Sequence, residues 1–253
     1  MTNPDESAQS ARGPTHQPIP ASGIGEVLLS SRSLDEYRAM FALTDTDLSR
    51  CILDCPGGAS SATAEINAGG GDATAVDPVY RRSLTAAELS TLARAETDRG
   101  NAYVREHPEQ YRWAFFDNAE HHHRSRSRAG QLFARDFHDH PDRYVPGELP
   151  RLPFPDGRFD LVLSSHLLFS YADRLTPTFH HHAIVELVRL ACTEVRIFPL
   201  VAMGSIPYQL DDLLATLRAQ GIDSRIVPVD YEFQAGGNQM LVCRRPPGVA
   251  SHS

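Results

Sequence analysis

No stretch of the 253-residue sequence approaches the roughly 20 consecutive apolar residues needed to cross a bilayer. Residues 1–25 contain no apolar h-region, which predicts that no secretory signal is present. Their Pro, Ser, Gly and Thr content reads instead as a disordered arm, and the tail over 246–253 reads the same way. Cysteine is scarce. Cys51, Cys55, Cys192 and Cys243 match neither a zinc spacing nor a disulfide framework, so a reducing, cytoplasmic setting is expected. Positive charge is in deficit: 24 Lys and Arg face 32 Asp and Glu, a formal charge of −8. That excludes a general nucleic-acid binder, which needs clustered cations for the phosphate backbone. The short run Arg124-Ser125-Arg126-Ser127-Arg128 is a local exception and reads as a solvated helix face.

An apolar content of 41% is ordinary for a globular chain long enough to bury one large α/β core. Ser33-Leu34-Asp35-Glu36 is a capping box, followed by Leu34, Tyr37 and Phe41 on one helical face. Cys51 to Cys55 is short and apolar and runs into Pro56-Gly57-Gly58, which predicts a buried parallel strand entering a tight turn. A helix over 61–68 and a strand over 73–77 complete a βαβ unit that ends on Asp77.

From Arg81 to about Arg143 the alternation stops. A second capping box, Thr85 to Glu88, opens about 60 mostly helical residues, too many for a simple crossover. They are expected to form an inserted helical cap over 81–143, within a domain spanning 26–245. Alternation then resumes with a strand over 160–165 and a helix capped by Thr176-Pro177. A strand over 194–201 and a helix carrying Leu210, Leu213, Leu214 and Leu217 follow, and Gly221 stops that helix. The last two strands are expected over 225–229 and 239–244.

Four pieces fall in a meaningful order. Asp54 to Ser60 follows the first strand, where glycines allow close backbone approach and the next helix offers free N–H groups. Asp77 lies about 20 residues further on, where a carboxylate can accept two ribose hydroxyls. Then come Gly147-Glu148-Leu149-Pro150-Arg151-Leu152-Pro153-Phe154-Pro155-Asp156-Gly157 and Phe159 to His166. In this combination the chain resembles the class I S-adenosylmethionine (SAM)-dependent methyltransferases, over roughly Ile52 to Arg244.

The resemblance implies a Rossmann-like fold: a seven-stranded, mostly parallel sheet with helices on both faces and the last strand antiparallel. The helical insert would follow the second strand. The resemblance also assigns roles. Glu148 and Leu149 would meet the adenine and Asp77 the ribose. Asp54, Pro56, Gly57 and Gly58 would face the methionine end, and Ser164, Ser165 and His166 would border the sulfonium and the acceptor. The chain departs from the family's acid-x-G-x-G-x-G turn at Pro56 and Ser60, and Pro56 removes a backbone donor.

The cofactor of such an enzyme carries the electrophile, so alignment matters more than a fixed catalytic signature. His166 is the candidate catalytic residue; a structural or substrate-contacting histidine is the plainer alternative. Tyr80 and Tyr171 flank the same expected edge, where packing is their plainer role. His121-His122-His123 and His180-His181-His182 invite a metal. Adjacent helical residues diverge by about 100°, however, so a triplet cannot chelate one ion and no metal site is assigned. Cys51 and Cys55 read as small buried hydrophobes. The aromatics from Tyr103 to Phe137 read as the core of the cap.

The expected activity is methyl transfer to a small molecule. The alternatives are a catalytically silent methyltransferase-like interaction module and a nicotinamide-nucleotide enzyme, the latter disfavoured by Leu152 to Asp156.

Overall fold

A computed structural model describes residues 27–81 and 83–245. The arm expected over 1–25 and the tail expected over 246–253 lie outside the described residues.

The first helix, α1 (Leu34–Phe41), forms where the capping box predicts. Ser33 accepts from the Glu36 N–H and Glu36 reaches back to the Ser33 N–H. A second box at Thr44 and Asp47, not anticipated from the sequence, starts the short α2 (Asp45–Leu48). The strand β1 (Cys51–Asp54) is followed by α3 (Ala62–Ala68) and β2 (Asp72–Val76). The expected helical stretch is a pair of long helices, α4 (Ala86–Glu106) and α5 (Ala119–Asp139). Asn118 caps α5 by accepting from the His121 N–H.

After them come the two-residue β3 (Tyr144–Val145), then β4 (Phe159–Ser165), α6 (Pro177–Leu190) and β5 (Ala191–Phe198). β5 begins three residues before the expected start at Glu194. It ends before Pro199, which has no N–H for the ladder. Val201, expected in that strand, instead belongs to a hairpin of β6 (Val201–Ala202) and β7 (Ile206–Pro207). The chain finishes with α7 (Asp211–Ala219), β8 (Asp223–Pro228) and β9 (Gln239–Arg244).

The main sheet has seven strands in the order β3-β2-β1-β4-β5-β9-β8. All pairs from β3 to β5 are parallel, and β9 runs antiparallel to both its neighbours. Side chains alternate faces along each strand, which sorts the core into two layers. Leu53, Val162 and Ile197 pack with Leu187 of α6 and Leu217 of α7. Ile52, Leu161 and Leu163 pack on the other face with Tyr37, Met40 and Phe41 of α1 and Ile66 of α3. Each fully buried aliphatic contributes roughly 1.5–3 kcal/mol. A third cluster docks the α4–α5 pair on the β2–β3 edge, where Leu89 and Phe133 meet Ala75, Tyr80 and Tyr144.

The chain starts at the centre of the sheet, works outward through β2 and β3, and returns to β4 beside β1. The direction of strand order therefore reverses between β1 and β4. In open parallel sheets the crevice outside the carboxyl ends at such a switch point is where ligands bind.

Candidate functional site

The segments leaving the carboxyl ends of β1, β2, β3 and β4 border one cavity of about 830 Å³. They contribute Cys55 to Gly58, Asp77 to Val79, Gly147 to Leu149 and Ser165 to Leu167. The segment before α1 closes one side through residues 27–30 and Arg32, and α4 adds Leu92, Glu96 and Arg99. The volume lies within the range of small-ligand and cofactor sites.

Asp77 ties two of these loops together. Its Oδ2 accepts from the Gly58 N–H at 3.0 Å and its Oδ1 from the Val79 N–H at 2.9 Å. Burial pushes its carboxyl up to about 6; the Val79 and Gly58 donors pull against that shift, and the Glu148 charge adds to it. The carboxylates expected to meet one ligand thus border the same hollow, where the Glu148 charge acts on Asp77.

The Pro56-Gly57-Gly58 turn also lines the hollow, but the protein's own packing already requires its glycines. A Cβ on Gly57 would stand 2.5 Å from the Tyr80 hydroxyl and 2.7 Å from the Ala75 Cβ. Gly58 has φ +55°, and a Cβ there would lie 3.1 Å from the Ser30 carbonyl oxygen. Tyr80, a buried packing aromatic, donates its hydroxyl to the Gly58 carbonyl at 2.7 Å.

Two expected site residues do not reach the wall. Asp54 is buried on the α1 face of β1, against the hydroxyl of Tyr37. Burial raises its carboxyl to about 8. Ser164 is buried within β4, its hydroxyl without a partner. Tyr37 covers Asp54 on one side of the sheet, and Ser164 faces the other side one position inside the end of β4, so neither side chain enters the crevice. Ser165 and His166 do reach it.

His166 adopts φ +49°, an uncommon region for a side chain other than glycine, in which His is several-fold enriched. Its N–H donates to the Phe198 carbonyl at 2.7 Å, and its Nδ1 pairs with the Ser165 hydroxyl at 2.8 Å. Burial first, then the Arg32 and Arg126 guanidinium groups, hold its pKa well below the usual histidine value.

Sequence reasoning missed Arg32 and Glu96. The apolar run Val27-Leu28-Leu29 ahead of the Ser33 box was the available signal that chain before α1 is built into the structure. Leu28 donates its N–H to the Tyr171 hydroxyl at 2.9 Å, and Leu29 to Glu96 at 3.2 Å.

The histidine tracts divide between interior and surface. His122 is buried, stacked on Phe233 at 4.6 Å between ring centroids, and accepts from Arg126 Nε. His121 and His123 pair with Asp117 and Asp98 on more exposed ground. His180 is buried against the Tyr208 hydroxyl. Among the described residues no group of three or more His, Cys, Asp or Glu could hold a metal ion. Cys51, expected to be buried like Cys55, is only partly so, with Arg158 3.0 Å from its sulfur. Among the described residues no helix is long and apolar enough to cross a membrane.

The strand order and the crevice at its switch point define a protein of the Rossmann-like, class I methyltransferase fold. By sequence the chain belongs to the family of the uncharacterized protein MJ0045 of Methanocaldococcus jannaschii. The two are 32% identical over 224 residues, 88% of this chain and 98% of that protein. No family model matches.

Among solved structures, magnesium protoporphyrin IX methyltransferase from Synechocystis PCC 6803 aligns over 84% of this chain and 78% of its own, at 14% identity and a TM-score of 0.45. The 1,6-didemethyltoxoflavin-N1-methyltransferase of Burkholderia thailandensis aligns over 78% and 71%, at 16% identity and a TM-score of 0.39. At these scores the likeness is weak, and the fold assignment rests on the strand order itself.

Proposed function

We propose that this protein binds SAM in the cavity above β1, β2 and β4 and methylates a small organic acceptor. The observation that carries this reading is that Asp77 and Glu148 border one hollow together with the Gly57-Gly58 turn, at the switch point of the sheet. The residues suit an adenosine. Asp77 is held by two backbone N–H groups and keeps further lone pairs for ribose hydroxyls. Glu148 and the buried Leu149 border the same end and would take the adenine, while Pro56 to Gly58, Ser165 and His166 line the rest. Bound there, SAM would supply a methyl group on a sulfonium, ready for in-line displacement.

This chain's own residues would exclude water and align the acceptor. Leu92, Leu167, Leu175 and Phe179 make much of the wall apolar, which supports an organic acceptor. His166 borders the same cavity with its Nδ1 already paired to Ser165. Its depressed basicity suits an acceptor that needs orientation by a hydrogen bond more than full deprotonation. A cytoplasmic setting belongs to this reading and is supported by the free thiols of Cys51, Cys55, Cys192 and Cys243.

Calorimetry with SAM, S-adenosylhomocysteine and NAD tests the reading. Submillimolar binding of the first two and not the third is expected. Binding of NAD alone would indicate a dinucleotide enzyme, and binding of none would favour the silent interaction module.

A further inference from the structure

Arg32 sits at the junction of two cavities. It borders the large one and also a smaller one of about 90 Å³, walled by α4, α5 and the Phe233-Gln234 segment. His166 borders both as well, whereas Asp77, Glu148, Gly57 and Gly58 border only the large one. Arg32 therefore stands with His166, where the hollow passes toward α4 and α5.

Its electrostatic position is unusual. The Nε of Arg32 is shielded from solvent and has no hydrogen-bond partner. The nearby carboxylates give their hydrogen bonds to other groups, although the Glu36 charge still acts on Arg32. Glu36 receives Arg126 NH2 at 2.8 Å, the Tyr231 hydroxyl at 2.9 Å and the Ser33 N–H. Asp54 faces the Tyr37 hydroxyl, and Glu96 receives Arg99 at 2.6 Å and the Leu29 N–H. Arg126 is a second cation close enough to depress Arg32, after burial has done the same. One buried carboxylate, Glu36, thus faces two guanidinium groups, Arg32 and Arg126, which leaves an excess positive charge beside the cavity that an anionic ligand would offset.

We propose that Arg32 is the counter-charge for an acceptor bearing a carboxylate or a phosphate, which would lie across the junction with its reactive atom toward His166. This rests on the methyltransferase reading only in calling the ligand an acceptor; an anion site at Arg32 stands without it. The fork of the guanidinium matches the two oxygens of either group. An anion there also offsets one of the two cations that suppress His166 and so raises its basicity once the acceptor is bound.

The test uses matched probes: benzoate against benzamide, and phenyl phosphate against phenol. Binding is measured by calorimetry with and without saturating S-adenosylhomocysteine, on the unmodified protein and on Arg32→Gln and Arg32→Lys. The unmodified protein should prefer the anion of each pair by about tenfold or more, the scale of one charge-assisted hydrogen-bond pair. Arg32→Gln should lose that preference and Arg32→Lys should keep part of it, with melting curves reporting that both fold. Affinity for S-adenosylhomocysteine should stay within about threefold in both variants.

Equal binding of anion and neutral probe by the unmodified protein would overturn the proposal, as would a preference that survives Arg32→Gln. So would a large loss of S-adenosylhomocysteine affinity with 5′-methylthioadenosine unaffected, because Arg32 would then serve the amino-acid end of the cofactor. If S-adenosylhomocysteine does not bind at all, the cofactor reading fails, and the probes run without it still decide the anion site.

Discussion

The hydroxyl oxygen of Tyr37 lies 2.9 and 3.1 Å from the two carboxylate oxygens of Asp54. One residue belongs to α1 and the other ends β1, so the contact pins the first helix to the central strand. It also takes Asp54 out of the crevice. Burial raises the Asp54 carboxyl to about 8, the Tyr37 hydroxyl lowers it, and Asp77 raises it further.

The protonation of Asp54 makes stability fall as pH rises. Its folded pKa of about 8 lies above the ordinary 3.8, so the folded chain holds a proton that the unfolded chain releases between those values. That contribution is complete below pH about 4 and is lost progressively up to pH about 8. The melting temperature of the unmodified protein, measured against Asp54→Asn, should decline from pH 5 to pH 8 and then level. Tyr37→Phe, which removes the hydroxyl that favours the ionised form, should extend the decline to higher pH. A flat difference across this range would mean that Asp54 titrates normally.

How much of this could be read in advance differs by residue. The boxes at Ser33 and Thr85 and the Thr176 cap appear as drawn from sequence, because capping depends on residues only three apart. Strands β1, β2, β4 and β9 were legible from apolar runs bounded by turns. The two-residue β3 was not, because it carries too few residues for a pattern. In the site, Asp77, Glu148 and the glycine turn were placed by order along the chain. Asp54 and Ser164 were misplaced because a linear motif does not show that Tyr37 covers the one or that β4 runs on past the other. Arg32 had no signature at all: an arginine beside a helix cap is ordinary until tertiary packing sets it beside a second cation.

Gly57 should tolerate no side chain. Gly57→Ala places a Cβ 2.5 Å from the Tyr80 hydroxyl and 2.7 Å from the Ala75 Cβ, and Ala75 lies on the paired strand β2 with no room to retreat. The overpacking should cost about 1–3 kcal/mol in a urea melt. Adding Tyr80→Phe should recover little, because the Ala75 contact persists and the bond to the Gly58 carbonyl is lost. Full recovery would place the conflict at the hydroxyl alone.

Asp77→Asn separates the pocket from the fold. The amide oxygen can still accept one of the two backbone N–H groups, so the loss of stability should be about 1 kcal/mol. The loss of charge-assisted bonds to a ribose should weaken SAM binding by about 1–3 kcal/mol, read by calorimetry. Unchanged affinity in a folded variant would move the cofactor away from Asp77.

Arg126 joins the α4–α5 pair to the first helix through a contact sealed from water. Its NH2 lies 2.8 Å from Glu36, with side-chain exposures of 8% and 0%. Its NH1 donates to the Ser31 carbonyl at 3.2 Å and its Nε to His122 at 3.1 Å. Arg126→Met leaves the buried Glu36 carboxylate without its paired cation, with only the Arg32 charge near it, and should cost up to about 3–5 kcal/mol. Glu36→Gln in that background removes the stranded charge, and the double variant should be more stable than Arg126→Met alone. Denaturant titrations of the unmodified protein, the two single variants and the double form a complete cycle. Additive losses would mean that the two charges do not depend on each other, and that α5 is held to the N-terminal segment by packing rather than by this pair.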